Sequence, residues 1–170
     1  MSNHKLILMR HAKSDWKSSA QTDFDRPLAA RGERDAPRMG EWLKKQGVIP
    51  DLFLSSPALR ARQTACIMAD ALGILQQAIN WDERIYNAGL DDLLDIIDTS
   101  AGDALTMLLI GHNPGLDSLL EYFSDEALDY NRQRKLMTTA AIAVIDFAKG
   151  PISTSIQHAH LQQLIRPREL

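Results

Sequence analysis

The chain has 170 residues, of which 45% are hydrophobic and 24% are charged, and its formal net charge is −3. This content suits one compact domain over residues 1–170, and the lack of a basic excess argues against a nucleic-acid-binding protein. The apolar run at 6–9 is too short for a signal peptide or a membrane span, and the single Cys66 cannot form an internal disulfide. We therefore expect a soluble cytoplasmic protein with no membrane partner.

The first predicted elements are a short strand and a long helix. The strand is LILM at residues 6–9, because a short apolar run between polar residues is typical of a strand buried on both faces. The helix spans residues 28–47, where apolar residues recur on one face and Gly47 supplies a C-terminal stop. Pro37 lies inside this segment and predicts a kink or a break.

The second strand and helix follow the same order. LFL at residues 52–54 is the predicted strand, and Ser56 is the predicted N-cap of the next helix. Pro57 suits the first helical position, and Gly73 ends the segment. These signals predict a helix over residues 57–72.

Two more helices surround the third apolar run. One begins near Gly89, with leucines on one side and aspartates mostly on the other, which indicates a solvated acidic face. The strand LTMLLI covers residues 105–110. The last helix starts at Asn113-Pro114, where Asn113 is the predicted cap.

The end of the chain predicts an antiparallel pair. Residues 140–147 and 153–160 flank the sequence KGP and favour a hairpin of two strands. Strands that alternate with helices predict an α/β protein with a mostly parallel sheet and this antiparallel edge. Ligands of such sheets bind at the carboxyl ends of the strands. Four polar residues follow those ends: Arg10, His11, Ser55 and His112.

The residues at these ends suit a phosphoryl group. Arg60 lies in the first turn of the second helix, where the helix dipole and backbone N–H groups already favour an anion. The guanidinium groups of Arg10 and Arg60 can bind the phosphoryl oxygens, and a neutral imidazole of His11 or His112 is a competent nucleophile. Neighbouring positive charge keeps His11 neutral. We therefore expect no metal and no cofactor.

Other phosphate chemistries lack their motifs. There is no G-x-x-x-x-G-K-[ST] loop, and the residue six positions after Cys66 is Leu72 rather than the arginine of a cysteine phosphatase. The D-F-D at 23–25 does not follow an apolar strand, which weakens an aspartyl-phosphate interpretation. His158 and His160 share one face of the last predicted strand, but no third metal ligand is indicated.

The ordered set Arg10-His11, Arg60 in SSPALRARQT and His112 in GHNPG resembles the histidine phosphatase (phosphoglycerate-mutase-like) superfamily. RHAKSDW, DFDRPLAARGE and the short length resemble its SixA-type branch of protein phosphohistidine phosphatases. The resemblance implies a three-layer α/β/α sandwich, with His11 as the nucleophile and Arg10, Arg60 and His112 binding the phosphoryl group. The long insertions of the mutases are absent, which favours transfer to water.

The resemblance leaves the proton donor open. WDERIYNAG lies where the superfamily often has an acidic donor, so Glu83 is the candidate and Asp82 the runner-up, although a solvated turn explains both equally well. Ala12 replaces a common glycine, and Lys17 stands where relatives often place a phosphate-binding asparagine. A phosphate ester needs a donor more than phosphohistidine does, because an alkoxide leaves poorly without a proton.

The sequence therefore predicts a metal-independent phosphatase that forms a phosphohistidine intermediate on His11. Its substrate is a phosphorylated protein, or a small phosphomonoester with Glu83 as the acid, and its product is inorganic phosphate. A non-catalytic phosphate or phosphoprotein sensor is the alternative from another class. Four residues of the first connection are expected to shape the mouth of the site: Asp15, Trp16, Lys17 and Arg26. Arg26 is the one expected to meet further anionic groups of the substrate.

Overall fold

The structure is a computed structural model that describes residues 3–124, 127–130, 135–148, 150–155 and 159–170. The strands among these residues are β1 (His4–Arg10), β2 (Leu52–Ser55), β3 (Ile79–Trp81), β4 (Thr106–Gly111), β5 (Ile142–Phe147) and β6 (Ala159–Ile165). The α-helices among them are α1 (Ala30–Lys45), α2 (Leu59–Leu72), α3 (Leu90–Ser100) and α4 (Gly115–Phe123). No helix of the described ranges is both long and apolar enough to cross a bilayer.

All six strands form one mixed sheet in the order β3-β2-β4-β1-β5-β6. The first four run parallel, and β5 and β6 add an antiparallel edge beside β1. This confirms the predicted α/β class with a mostly parallel sheet. Arg10 at the end of β1 pairs with Gly111 at the end of β4, and Ser55 of β2 pairs with Ile110. The strand ends that carry the candidate residues therefore lie side by side.

The sheet is buried on both faces. Leu6 and Leu8 of β1 face a core built with α3 and α4, whereas Ile7 and Met9 face a second core built with α1 and α2. Successive strand residues point to opposite faces, so a continuous apolar run serves both cores. The result is the predicted three-layer arrangement of helices, sheet and helices.

Two strands differ from the sequence prediction. Strand β3 was not predicted, because it has three residues of which only Ile79 is buried and therefore shows no apolar pattern. The second strand of the hairpin was placed at 153–160, but β6 begins at Ala159 and ends at Ile165. As an edge strand with several exposed polar residues, β6 lacks the apolar run that marks the central strands. Residues 156–158 of the predicted strand lie outside the described residues.

Two helix starts and one predicted break also differ. The N-cap of α2 is Ala58 rather than Ser56, whose Oγ instead accepts a hydrogen bond from Ala58 N at 3.3 Å, just before the helix. Asn113 does not cap α4, because its side-chain amide donates to the Met137 carbonyl at 2.9 Å and the helix begins two residues later. Helix α1 continues through Pro37 without a break. The predicted C-terminal stop of α2 is confirmed, since Gly73 is left-handed with φ of +75°.

Candidate active site

The predicted polar residues converge on one cavity at the carboxyl ends of β1 and β4. The cavity has a volume of about 280 Å³, and Arg10, His11, Arg60 and His112 all line it. The imidazole rings of His11 and His112 lie with their centroids 5.1 Å apart. Residues that are up to 102 positions apart in the sequence therefore form one site.

His11 presents one ring nitrogen to the cavity. Its Nδ1 lies 2.8 Å from the Ala12 carbonyl oxygen, which only accepts hydrogen bonds, so Nδ1 carries the proton. The other nitrogen, Nε2, accepts a hydrogen bond from Arg60 Nε at 3.4 Å. The ring is 6% exposed. His11 therefore holds an unprotonated, oriented Nε2 beside a guanidinium group.

The loop after β1 is fixed against two helices. The Ala12 amide donates to Thr64 Oγ1 at 3.0 Å, and the same hydroxyl donates to the Arg60 carbonyl at 2.7 Å. On the other side Gly32 of α1 packs closely against the backbone of Lys13. A Cβ at position 32 would lie 2.2 Å from the Lys13 carbonyl oxygen. Only glycine allows this approach. The backbone next to His11 is therefore held by α1 and α2.

Arg60 is the most connected side chain of the site. It lies in the first turn of α2, as predicted, and is buried. Besides its contact with His11, its Nη1 donates to the Asp23 carbonyl at 2.7 Å and its Nη2 to Asp23 Oδ2 at 3.0 Å. Nη2 also lies 3.4 Å from His112 Nδ1. The guanidinium group thus joins both histidines to the loop that contains Asp23.

His112 is oriented by its second nitrogen. Since Arg60 only donates, His112 Nδ1 accepts, and its Nε2–H donates to Ser56 Oγ at 2.7 Å. This contact gives Ser56 a function in the site in place of the helix cap that the sequence predicted. Tyr86 packs edge-on against the His112 ring with the centroids 5.6 Å apart.

Arg10, which is half-buried, and Arg26, which is buried, also line the cavity. Arg10 Nη1 donates to the Met137 carbonyl at 3.1 Å, but its Nε has no hydrogen-bond partner among the described residues. Arg26 donates to Ser14 and Asp23, and its Nε likewise lacks a partner in the described ranges. The two guanidinium groups place positive charge at the cavity, which favours an anion there.

Both histidines are neutral at neutral pH. Burial, followed by the neighbouring His112, lowers the pKa of His11 well below its usual range despite the opposing hydrogen bond to Ala12. Burial and the Arg60 guanidinium lower the pKa of His112 to about 4. A neutral imidazole keeps its lone pair for attack on phosphorus. The electrostatics of the cavity therefore favour a nucleophilic His11.

Asp23 is a site residue that the sequence analysis missed. Its carboxylate accepts hydrogen bonds from Arg26, Arg60 and the Tyr86 hydroxyl at 2.8, 3.0 and 2.9 Å. The bond from Arg26 contributes most to lowering its pKa to about 2, so Asp23 is ionised. In the sequence, D-F-D was interpreted only as a possible aspartyl-phosphate motif. The available signal was the spacing of Asp23 and Arg26, which form an ion pair three residues apart.

Five predicted residues lie away from the cavity lining: Asp15, Lys17, Ser55, Asp82 and Glu83. Glu83 is exposed in a 3₁₀ helix, and the Asp82 carboxylate is engaged by the Arg84 side chain at 2.7 Å. Lys17 is exposed, while the cavity is lined by Lys13 instead. Ser55 is buried and donates to the Ser56 carbonyl. Trp16 and Arg26 line the cavity, as expected for residues at its mouth.

Metal ligands do not gather in the described part of the chain. Within it, no three His, Cys, Asp or Glu side chains form a group that could hold a metal ion. Of the two histidines that the sequence raised as metal ligands, His158 lies outside the described residues. The donors at the cavity are guanidinium and imidazole groups, which suit an oxyanion.

Residues 6–90 match the family model of the histidine phosphatase superfamily (branch 1). The chain belongs to this superfamily. An uncharacterized chloroplastic protein of Arabidopsis thaliana is 33% identical over 134 residues, which cover 74% of this chain and 62% of that protein. The matched region therefore spans less than two thirds of that relative. Membership of this superfamily supports a phosphatase that acts on a phosphorylated substrate.

Solved structures of SixA proteins share the fold of this histidine phosphatase. The putative phosphohistidine phosphatase SixA of Agrobacterium tumefaciens matches with a TM-score of 0.80 and 29% identity, over 96% of this chain and 99% of that one. The protein histidine phosphatase SixA complexed with tungstate matches with a TM-score of 0.79 and 22% identity, over 96% and 97% of the two chains. The predicted superfamily, its SixA-type branch and the phosphoglycerate-mutase-like fold are confirmed.

Proposed function

We propose that the protein is a metal-independent phosphatase that acts on protein phosphohistidine through a covalent intermediate. His11 Nε2 attacks phosphorus in line, so that an N–P bond forms as the bond to the substrate nitrogen breaks. Water then attacks the phosphorylated His11, releases inorganic phosphate and restores the free imidazole. Arg10 and Arg60 stabilise the charge on the oxygens of the transferred group, and His112 lines the cavity beside it.

The observation that carries this proposal is the state of His11. Its Nδ1–H is fixed on the Ala12 carbonyl, and its unprotonated Nε2 faces Arg60 in a cavity lined by three arginines. A nucleophile at this atom needs no further base, because the nitrogen is already free of a proton. The guanidinium groups supply the positive charge that a metal ion would otherwise provide.

The choice of substrate rests on the acid available at the cavity. Among the described residues that line the cavity, only Asp23 carries a carboxyl group. Its pKa is about 2, so it cannot donate a proton at neutral pH. A leaving alkoxide needs such a donor, whereas the basic imidazole of phosphohistidine takes up a proton before the bond breaks. This favours phosphohistidine over a small phosphomonoester. We propose a cytoplasmic phosphoprotein as the partner.

Rapid quench tests the mechanism. A peptide with a labelled phosphohistidine is mixed with the enzyme in the presence of a chelator, and the acid-labile label is mapped. We expect label on His11, and neither label nor turnover in His11→Ala, while the exposed control His160→Ala behaves as the unmodified protein. Turnover in His11→Ala would overturn the mechanism, and phosphate-dependent binding without a burst would indicate a sensor.

A substrate comparison tests the specificity. We expect faster turnover of the phosphohistidine peptide than of an aryl phosphate, because the ester lacks a proton donor in the cavity. The proton-donor function of Glu83 stays a prediction: a selective loss of ester hydrolysis in Glu83→Gln would support it. Preference for the aryl phosphate would favour the phosphomonoesterase alternative.

A further inference from the structure

Trp16 is exposed although it lines the cavity. Its side chain is 73% exposed, more than that of any other tryptophan of the chain, and it lies at the cavity that holds His11. An indole contributes to folding chiefly through the area that it buries. At this exposed position Trp16 therefore contributes little to the stability of the fold. Its position at the mouth of the site needs another explanation.

The indole is also held in place. The Arg26 guanidinium carbon lies 3.7 Å from the centroid of the ring, and Arg26 is itself buried and bonded to Ser14 and Asp23. The backbone on both sides is paired, since the Asp15 amide donates to the Pro27 carbonyl at 2.8 Å and the Lys17 amide donates to Asp15 Oδ1 at 2.8 Å. Arg26 covers one face of the ring, so the exposed area belongs to the rest of the indole. An ordered aromatic surface is thus offered to whatever enters the cavity.

We propose that Trp16 is a specificity-determining residue whose open face stacks on the imidazole ring of the substrate phosphohistidine. This inference rests on the proposed function, because it concerns the group that leaves from phosphorus. The 280 Å³ cavity is larger than a phosphoryl group needs, which leaves room for part of the group that carries it. A planar aromatic ring gains from stacking on indole, and an ammonia or alkyl leaving group does not.

The charges around Trp16 suit a protonated ring. An imidazolium is attracted to the face of an indole. Arg26 on the opposite face would repel it, but Asp23 Oδ1 accepts a hydrogen bond from Arg26 Nη2 at 2.8 Å and offsets that charge. The same Asp23 is ionised, so the mouth of the cavity combines an aromatic face with a negative charge. Both stabilise the substrate ring when it is protonated on its second nitrogen, which is the form from which neutral imidazole leaves.

The test compares two substrates with the same P–N bond. Phosphohistidine carries an imidazole ring and phosphoramidate carries none, so the ratio of their kcat/KM values isolates the ring. In Trp16→Ala we expect this ratio to fall roughly 3- to 10-fold, as expected for the loss of one aromatic pair, mainly through the KM for phosphohistidine. Trp16→Phe should keep most of the ratio, because phenyl also stacks.

Trp81→Ala is the matched control. Trp81 is another exposed tryptophan with an arginine over its ring, Arg62 at 4.8 Å, but it does not line the cavity. We expect the substrate ratio of Trp81→Ala to equal that of the unmodified protein. An equal loss with both substrates in Trp16→Ala would mean that Trp16 only supports the loop, and it would overturn the stacking proposal alone. Failure of the unmodified protein to hydrolyse either P–N bond would overturn the proposed function as well.

Discussion

Arg60 and Asp23 show how single residues set the properties of this site. The Asp23 carboxylate and carbonyl accept hydrogen bonds from both terminal nitrogens of Arg60, while Arg60 Nε faces His11. Asp23 thus orients the guanidinium group, but it also occupies donors that suit phosphoryl oxygens. Because Asp23 is ionised, an incoming phosphate group meets a negative charge next to its binding residue. The same contact therefore has two opposing effects: it orients Arg60, and it competes with phosphate for the donors of Arg60.

Replacement of Asp23 separates the two effects. In Asp23→Asn we expect inorganic phosphate to inhibit more tightly, roughly threefold after allowance for the partial exposure of Asp23, because a negative charge beside Arg60 is removed. The inhibition constant is measured at fixed ionic strength. Asp25→Asn is the control, since it makes the same change of charge in the same loop at a residue that does not line the cavity. Weaker inhibition in Asp23→Asn would show that orientation of Arg60 dominates.

Single residues were predictable where a strand end or a helix start marked them. Arg10, His11 and His112 follow apolar runs, and Arg60 lies in the first turn of a helix, so the sequence placed all four at one edge of the sheet. Asp23 lies in an irregular connection and meets Arg60 across 37 positions. A contact of that kind has no local pattern, because it depends on how the connection folds back over the strand ends.

At the scale of elements, Thr64 couples helix α2 to the loop after β1. In Thr64→Val we expect a loss of about 1–3 kcal/mol in the free energy of unfolding, because the buried Ala12 amide loses its acceptor while the shape of the side chain stays the same. We also expect a lower kcat, since the loop places His11. Urea unfolding and steady-state kinetics measure the two effects.

Thr64→Ser is the matched comparison for the coupling. It keeps the hydroxyl that accepts from the Ala12 amide and loses only a methyl group, at a cost of about 1 kcal/mol. We expect Thr64→Ser to retain kcat. An equal decrease of kcat in Thr64→Val and Thr64→Ser would show that the packing of α2, rather than this hydrogen bond, positions the loop.

The strands that were easiest to predict are those with the longest runs of apolar residues. The central strands β1, β2 and β4 are buried on both faces and stand out as apolar runs. The edge strands β3 and β6 are partly exposed, so one was missed and the other was misplaced. Helix starts were displaced by one or two residues, because the polar side chains of Ser56 and Asn113 bond to the site and to a neighbouring loop instead of capping the helices.

On the scale of the whole molecule, folding brings positively charged side chains together at one cavity, although the chain is acidic overall. The net charge is −3, yet Arg10, Lys13, Arg26 and Arg60 all line one cavity, where Asp23 is the acidic side chain among the described residues. Composition therefore argued against a nucleic-acid-binding protein but gave no information on the positive charge at this cavity. The positive charge of the cavity attracts phosphoryl groups to the site. The net negative charge of the rest of the molecule repels anions from other parts of the surface.

The two neutral histidines of the site make the stability of the protein depend on pH. The pKa of His112 is lowered to about 4 by burial and by Arg60, and that of His11 is also lowered well below 6.5. Between about pH 5 and pH 6.5 the unfolded chain therefore binds protons that the folded chain does not, so the free energy of unfolding falls as pH decreases, by roughly 1 kcal/mol per unit for each histidine. Urea unfolding at several pH values measures this slope. We expect a shallower slope in His112→Gln and an unchanged one in the exposed control His160→Gln, and equal slopes in all three proteins would contradict the assignment to the site.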